Sequence, residues 1–365
     1  MRTILPYLKS RLQLGRDQFR RALGRVLFDK PRIAPLPIPH LQRIVLVRWD
    51  AKLGDAIVSS WIFRELKKQY PAASIEVITS PAMAWLFKEH FGADIVYECP
   101  KRTNYRQLAH LAKQIGQIDL LVHFGQQLKM KDIFFIRMIA SQYVAGLDDE
   151  LACINIKLGQ KTSGLHFCHK FAELVKVCGV SSPQTDYLLP YSPASQKAIT
   201  PYWPANPVIA INPFGSGQSR RLSTESIQRL LHALDNTLPS DVRFCLLFSP
   251  DNKQKIIQLC SQLPRTFCYP ESTTISDVVA QIKKAKGLIS VDTATIHIAA
   301  GLNTPILGLY NPDPINFAEW GPNTKTSRVV FAEKRQPEDI NALPWAELPQ
   351  QILTWWQEIE SNGLT

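Results

Sequence analysis

The stretch IVLVRWDAKLGDAIVSSWIFRELKKQY, residues 44–70, sets the reading of the whole chain. Ile44 to Val47 are a short apolar run, which predicts a buried strand. The run stops in Arg48, Trp49, Asp50 and Lys52, then Gly54 and Asp55, before an amphipathic pattern predicts a helix over 55–69. A strand, a charged turn and a helix form the repeating piece of an open α/β sheet, in which ligands bind beyond the carboxyl ends of the strands. The turn is therefore a candidate site, and two carboxylates, Asp50 and Asp55, compete for its chemistry.

Outward from this stretch the same alternation continues. RIVLVR, SIEVITS, DIVYECP, IDLLVHFG and QYVAGLD read as strands, with helical patterns between them near 55–69, 82–91, 104–116 and 129–140. Alternation of this kind predicts a parallel sheet covered on both faces. A helix starting near His166 follows, and then a proline-rich stretch marks a domain boundary near 187–206. A second series follows, with strands in PVIAINP, RFCLLFSP, TFCYP, GLISVDT and PILGLY and helices near 223–234, 252–263, 274–286 and 294–301. The fold class is α/β with two Rossmann-like halves. The divisions are an N-terminal extension with its linker at 1–42, a first domain at 43–195, a second at 196–338 and a last helix at 339–365, whose Trp345, Trp355 and Trp356 need something to pack on. Neither half has G-x-G-x-x-G after its first strand, which argues against a dinucleotide dehydrogenase.

A chain of 365 residues accommodates two such cores. No apolar run approaches the ~20 residues of a membrane-spanning helix. The first thirty residues lack a secretory signal pattern, so a cytoplasmic location is expected. Seven scattered cysteines without a C-x-x-C pair read as buried thiols, and no metal site is expected. The net charge of +11 implies anionic partners, and eight of those charges lie in residues 1–43, where ten Lys or Arg face two acids. There Ile4, Leu5, Leu8, Leu12, Phe19, Leu23, Val26 and Leu27 recur at helical spacing among arginines, which predicts a basic amphipathic helix. Such a helix docks on an anionic membrane surface, or it lays its apolar stripe on the protein's own body. With the charge gathered in this extension and no recognition motif beside it, nucleic acid is not an expected partner.

The second half carries GLISVDTATIHIAAGLNTPILGLYNPDPINFAEWGP, residues 287–322. A buried strand ends in Asp292, and a helix opens at once. Thr293, Ala294 and Thr295 therefore offer backbone N–H groups at a helix N-terminus, a favourable seat for phosphate. His297 lies one turn along. Taken in isolation, Asp292 also reads as a helix cap and His297 as a packed histidine.

Together with residues 44–71, the loop NPFGSGQSRRLSTESI and the helix starting at His166, this order and spacing resembles the lipopolysaccharide heptosyltransferases, glycosyltransferase family nine. The resemblance covers roughly residues 43–335. It implies a GT-B architecture, an inverting reaction without a metal or other cofactor, a nucleotide-sugar donor, usually ADP-heptose, in the second domain, and a lipopolysaccharide core acceptor in the first. By matching motifs, Asp55 of the Gly-Asp pair falls on the family's proposed base. Ser216 and Arg220 fall on the phosphate-binding pair, and Asp292, Thr293 and His297 fall on the Asp-Thr-Gly-x-x-His motif. The implied site is thus Asp55 and Arg220 as catalytic residues; Ser216, Arg220, Asp292, Thr293, Ala294, Thr295 and His297 on the donor; and Lys52, Gly54 and Lys129 on the acceptor. An amphiphilic, anionic acceptor suits a basic protein working at the inner face of the cytoplasmic membrane. The sequence departs from the family pattern in having Arg220 for lysine, Ala294 for glycine, Val58 for a histidine and a shortened NPDP at 311–314, with Asp251 as the nearest acid where a glutamate is usual. The alternatives are a relative using another nucleotide-sugar, an epimerase on the same architecture, and a family member that binds without turnover.

Overall fold

The buried apolar runs become two six-stranded, all-parallel sheets. A computed structural model describes residues 4–34, 38 and 40–361, with the backbone only of residues 4–12 and 14. Its elements, in chain order, are α1 (Ile4–Phe28), β1 (Arg43–Arg48), α2 (Leu53–Val58), α3 (Trp61–Gln69), β2 (Ser74–Thr79), α4 (Pro81–Leu86), β3 (Ile95–Glu98), α5 (Tyr105–Ile115), β4 (Gln117–His123), α6 (Met130–Met138), β5 (Ala140–Gly146), β6 (Ile156–Lys157) and α7 (Phe167–Val177). There follow α8 (Pro193–Ile199), β7 (Val208–Asn212), α9 (Thr224–Thr237), β8 (Arg243–Leu246), α10 (Lys253–Cys260), β9 (Thr266–Phe267), α11 (Ile275–Lys284), β10 (Gly287–Val291), α12 (Ala294–Leu302), β11 (Ile306–Tyr310), α13 (Pro314–Trp320), β12 (Ser327–Phe331) and α14 (Leu348–Ser361).

The first sheet runs β3-β2-β1-β4-β5-β6 and the second β12-β11-β10-β7-β8-β9. Numbered within its own half, each is the doubly wound order 3-2-1-4-5-6. Two compact units result. Unit 1 comprises residues 1–52, 61–165 and 169–185, and unit 2 comprises 53–60, 166–168 and 186–365.

Each unit has its own core. In unit 1, Val45, Val47, Ile78, Leu121 and Val144 of the strands meet Leu108 of α5 and Ile133 of α6. In unit 2, Ile209, Phe244, Ile289 and Leu307 meet Leu230 of α9 and Trp355 and Trp356 of α14, so two of the C-terminal tryptophans are core residues. Trp345 packs beside them, with Arg229 over its ring at 4.7 Å.

The helix expected over 55–69 is two helices. Ser59 Oγ turns back to the carbonyl of Asp55 at 3.0 Å and of Ala56 at 3.1 Å, and Ser60 Oγ accepts the Leu188 N–H at 2.7 Å. Serine hydroxyls that bond helix carbonyls bend a helix, and the Ser59 bonds lie at the break between α2 and α3. Sequence pattern also missed four short elements, one of them α13. The others are β6, α8 within the proline-rich stretch, and edge strand β12, where only Val330 among its described side chains is fully buried.

Candidate active site

In the order 3-2-1-4-5-6 the winding reverses between the first and fourth strands, and the loops leaving them part to form a ligand crevice. In unit 2 these strands are β7 and β10. The loop after β7 folds on itself: Gly215 N–H donates to the Arg220 carbonyl at 2.8 Å, Leu222 N–H to the Pro213 carbonyl at 2.9 Å, and Phe214 bridges Arg221. This fold aims Arg220 at the residue after β10, and Arg220 Nη1 lies 3.1 Å from Asp292 Oδ2. Asn316 Nδ2, from α13, donates to the same oxygen at 3.0 Å. Three segments remote in sequence thus converge on one buried carboxylate. Tyr310, ending β11, is buried close by with no hydrogen bond to its hydroxyl. Burial, with the Asp292 charge beside it, holds that phenol well above its ordinary pKa, so it stays neutral.

Helix α12 opens directly after Asp292. Thr293 is its N-cap in extended backbone and makes no side-chain capping bond. The N–H groups of Ala294 and Thr295 have no partner within the helix, as in the first turn of any helix. Thr295 itself faces the core, where its hydroxyl meets Ser290 Oγ at 2.7 Å and accepts from Asn212 Nδ2 at 2.9 Å. What it can offer a ligand is its backbone. Ser216 is exposed on the loop after β7.

His297 is buried, and its Nδ1 makes no hydrogen bond. Burial and the neighbouring His166, with ring centroids 6.5 Å apart, push its pKa down to about 3, so the imidazole is neutral and cannot serve as a phosphate cation at ordinary pH. Its ring sits near Tyr187 and Trp320 and directly against Gly54: a Cβ on Gly54 would lie 2.9 Å from His297 Cδ2 and 3.5 Å from Ala294 Cα. The glycine expected to admit a ligand therefore admits α12. Through this contact Asp55, half-buried in the first turn of α2, belongs to the same compact unit as Asp292 and Arg220. His166 fixes the neighbourhood, with Nε2 3.1 Å from the Gly321 carbonyl and Nδ1 accepting the Cys168 N–H at 3.1 Å.

In unit 1 the reversal lies between β1 and β4, and the opening charged stretch occupies it. Asp50 braces the turn. Its Oδ2 is 3.3 Å from Nη2 of buried Arg48, and its Oδ1 accepts the Lys52 N–H at 3.3 Å. Ala51 between them has a left-handed φ of 57°, an uncommon and strained conformation for a residue with a side chain. Arg48 also lies over the Phe171 ring at 5.7 Å, and Trp49 packs edge-on against His123, which is 3.3 Å from Asp132. Lys52 is exposed. Lys129 is exposed too, with Asp17 of α1 3.5 Å from its ammonium, so the side chain expected on an acceptor has an intramolecular partner. Among the described residues no group of three or more His, Cys, Asp or Glu is arranged to hold a metal ion.

Residues that sequence reading passed over are Asn316 and Tyr310. Only Asn316 had a local signal: it follows Asp313 by three positions, and Asp313 caps α13 through the Asn316 N–H at 3.0 Å.

The profile of glycosyltransferase family 9 (heptosyltransferase) matches residues 108–342, well over half of the chain. The chain belongs to that family. This family-9 glycosyltransferase is 22% identical to lipopolysaccharide heptosyltransferase 3 of Escherichia coli over 303 residues, which cover 74% of this chain and 84% of that one. Among solved structures it is similar to a family-9 glycosyltransferase from Veillonella parvula, with a TM-score of 0.68 at 15% identity over 88% of this chain and 99% of the other. It is also similar to Escherichia coli heptosyltransferase WaaC with ADP, with a TM-score of 0.64 at 17% identity over 86% of this chain and all of the other. The family-9 enzyme thus has a GT-B-like fold, and no helix among its described residues is long and apolar enough to cross a membrane.

Proposed function

We propose that this enzyme moves a heptose from ADP-heptose to the inner core of lipopolysaccharide, with inversion at the anomeric carbon and without a metal. Support for the donor comes from the chemistry at the β7/β10 reversal and from the ADP in the solved heptosyltransferase; support for the acceptor comes from the name of the curated relative. The observation that carries the reading is the contact of Gly54 with α12, which holds Asp55 in one compact unit with the Arg220–Asp292 pair and the α12 N-terminus.

In this proposal unit 2 takes the donor and unit 1 the acceptor. The diphosphate rests on the backbone N–H groups of Ala294 and Thr295, with Thr293 and Ser216 beside it. Arg220, a permanent cation, faces the charge that grows on the departing diphosphate. Asp292 orients Arg220 while itself held by Asn316, and it meets the sugar. Neutral His297 keeps α2 against α12. Asp55 takes the proton from the acceptor hydroxyl as the new C–O bond forms, and the diphosphate leaves with the electron pair of the old one. Because α2 has only six residues, its dipole contributes little, and Asp55 acts by position. Exposed Lys52 meets acceptor anions, Lys129 does so by exchanging Asp17 for them, and Gly54, closed against α12, seats Asp55 and touches no acceptor. A lipid-borne acceptor places the reaction at the cytoplasmic face of the membrane.

The test is incubation with ADP- and UDP-sugars and truncated lipopolysaccharide acceptors, read by product mass. A heptose-sized gain from ADP-heptose is expected. A hexose-sized gain would assign another donor, and binding of every donor without transfer would assign a non-catalytic family member.

A further inference from the structure

Helix α1 lies on unit 1 with its polar side inward. Gly24 is buried where α1 crosses α6, and a Cβ there would come 2.9 Å from Met130 Cα, so glycine is what permits the approach. Arg21 donates to Asp148 Oδ1 at 2.8 Å and to the Leu128 carbonyl at 2.7 Å, and Arg25 reaches Glu150 at 3.2 Å. Beyond the helix, Asp29 accepts the N–H groups of Ala152 at 3.0 Å and Cys153 at 2.7 Å, and Arg32 donates to the carbonyls of Ile136 and Ser141.

The outward face is the apolar one. Phe19 is 69% exposed, Leu23 39%, Val26 75% and Leu27 49%, and Ile33 just past the helix is 98% exposed. Their spacing of three and four gathers the helical four within one stripe. Ile4, Leu5, Leu8 and Leu12, which would extend the stripe, lie outside the described side chains. Arg16 and Arg20, each three positions before a residue of the stripe, are exposed beside it, and Lys30 is exposed just past the helix. The two acids of the segment are turned to the body, Asp17 toward Lys129 and Asp29 onto the backbone of 152–153. A soluble helix resting on its own protein buries its stripe and exposes its charges, whereas α1 ties charges down and leaves the stripe out.

We infer that this face of α1 inserts in the headgroup region of an anionic phospholipid bilayer, with the helix lying along the membrane plane. Phe19, Leu23, Val26 and Leu27 enter the acyl boundary, while Arg16, Arg20 and Lys30 reach the phosphates. Charge selects this occupant over a second copy of the chain. Two such faces would bring cations against cations, whereas an anionic surface complements them. The bonds of Arg21, Arg25, Asp29 and Arg32 make α1 a fixed part of unit 1, so insertion also fixes how unit 1 is presented to the lipid. The inference rests on the proposed function only in expecting a membrane-held acceptor, and its test needs no substrate.

The full chain is mixed with vesicles of phosphatidylglycerol and phosphatidylcholine and floated on a density gradient, with pure phosphatidylcholine as the control. Binding to the anionic vesicles, weakened by salt, is expected. Leu23→Asp with Val26→Asp should lower it at least about tenfold. Arg16→Glu with Arg20→Glu should lower it about twentyfold or more. These positions are exposed, so melting curves and turnover of a short soluble acceptor should match wild type. Wild-type protein that stays unbound, or variants that float as well as wild type, would overturn the inference. So would a concentration-dependent dimer, seen in sedimentation, that Leu23→Asp with Val26→Asp dissolves while vesicles capture nothing. Vesicle binding without sugar transfer would instead count against the proposed reaction and leave the lipid face standing.

Discussion

Asp50 and Asp292 each lie just beyond a strand at the winding reversal of its sheet, Asp50 after the first strand and Asp292 after the fourth, and each lies beside an arginine. Their partners differ in origin. Arg48 comes from the same strand two residues earlier, and the remaining bond of Asp50 goes to the Lys52 N–H, so the whole arrangement closes one turn. Arg220 comes from the loop after β7 and Asn316 from α13, so Asp292 joins parts of the fold that sequence keeps far apart. A carboxylate satisfied by its neighbours stabilises a turn. One satisfied from a distance fixes the relative positions of loops, which is what a binding site requires.

The comparison can be broken at several points. The largest effect is expected at neither of the two aspartates but at Asp55: Asp55→Asn should lower kcat by about 10²-fold or more, with donor affinity little changed in direct binding measurements. An active Asp55→Asn enzyme beside a dead, folded Asp50→Asn enzyme would reverse the roles given to the two turns. Arg220→Ala should lower kcat by about 10²-fold, more than it raises the donor KM, because its interaction grows as the diphosphate departs. Arg220→Lys should recover part of that loss, though without the two-pronged geometry. Asn316→Ala removes one hydrogen bond to the Asp292 carboxylate and should raise the donor KM roughly tenfold, and steady-state kinetics would show whether kcat moves with it. Smallest in rate is Asp50→Asn, with turnover expected within about twofold of wild type and stability reduced by about 1–2 kcal/mol in denaturant titration, because buried Arg48 loses its counter-charge.

The same contrast explains what could be read in advance. Strands such as Ile44–Val47 and Val208–Ile211 announce themselves because a parallel strand buried on both faces is a continuous apolar run. Ser327–Phe331 is less plain, since Ser327 and Arg328 open it and, as an edge strand with exposed Phe331, it is only partly buried. Asp292 and Arg220 were legible as charged groups beside buried strands. Their pairing was not, because it depends on how the Pro213–Arg221 segment folds back, and Asn316 joins them only once β11 and α13 are in place. For α1 the hydrophobic period was visible and its direction was not. Whether the stripe faces in or out is decided by Gly24, Arg21 and Asp29, whose partners lie over a hundred positions away.

The placement of residues 53–60 bears on how such enzymes exchange parts. A cut in the proline-rich stretch after Thr185 looks like the natural place to graft the second half of one relative onto the first half of another. That cut would leave α2 behind, although α2 is built into the unit that carries His297. A chimera made there would set one parent's Gly54 and Asp55 against the other parent's α12, at a spacing where even one methyl group collides. Recombination that preserves the module has to carry three pieces of sequence together, so this half of the enzyme is inherited intact only when residues 53–60 and 166–168 travel with it.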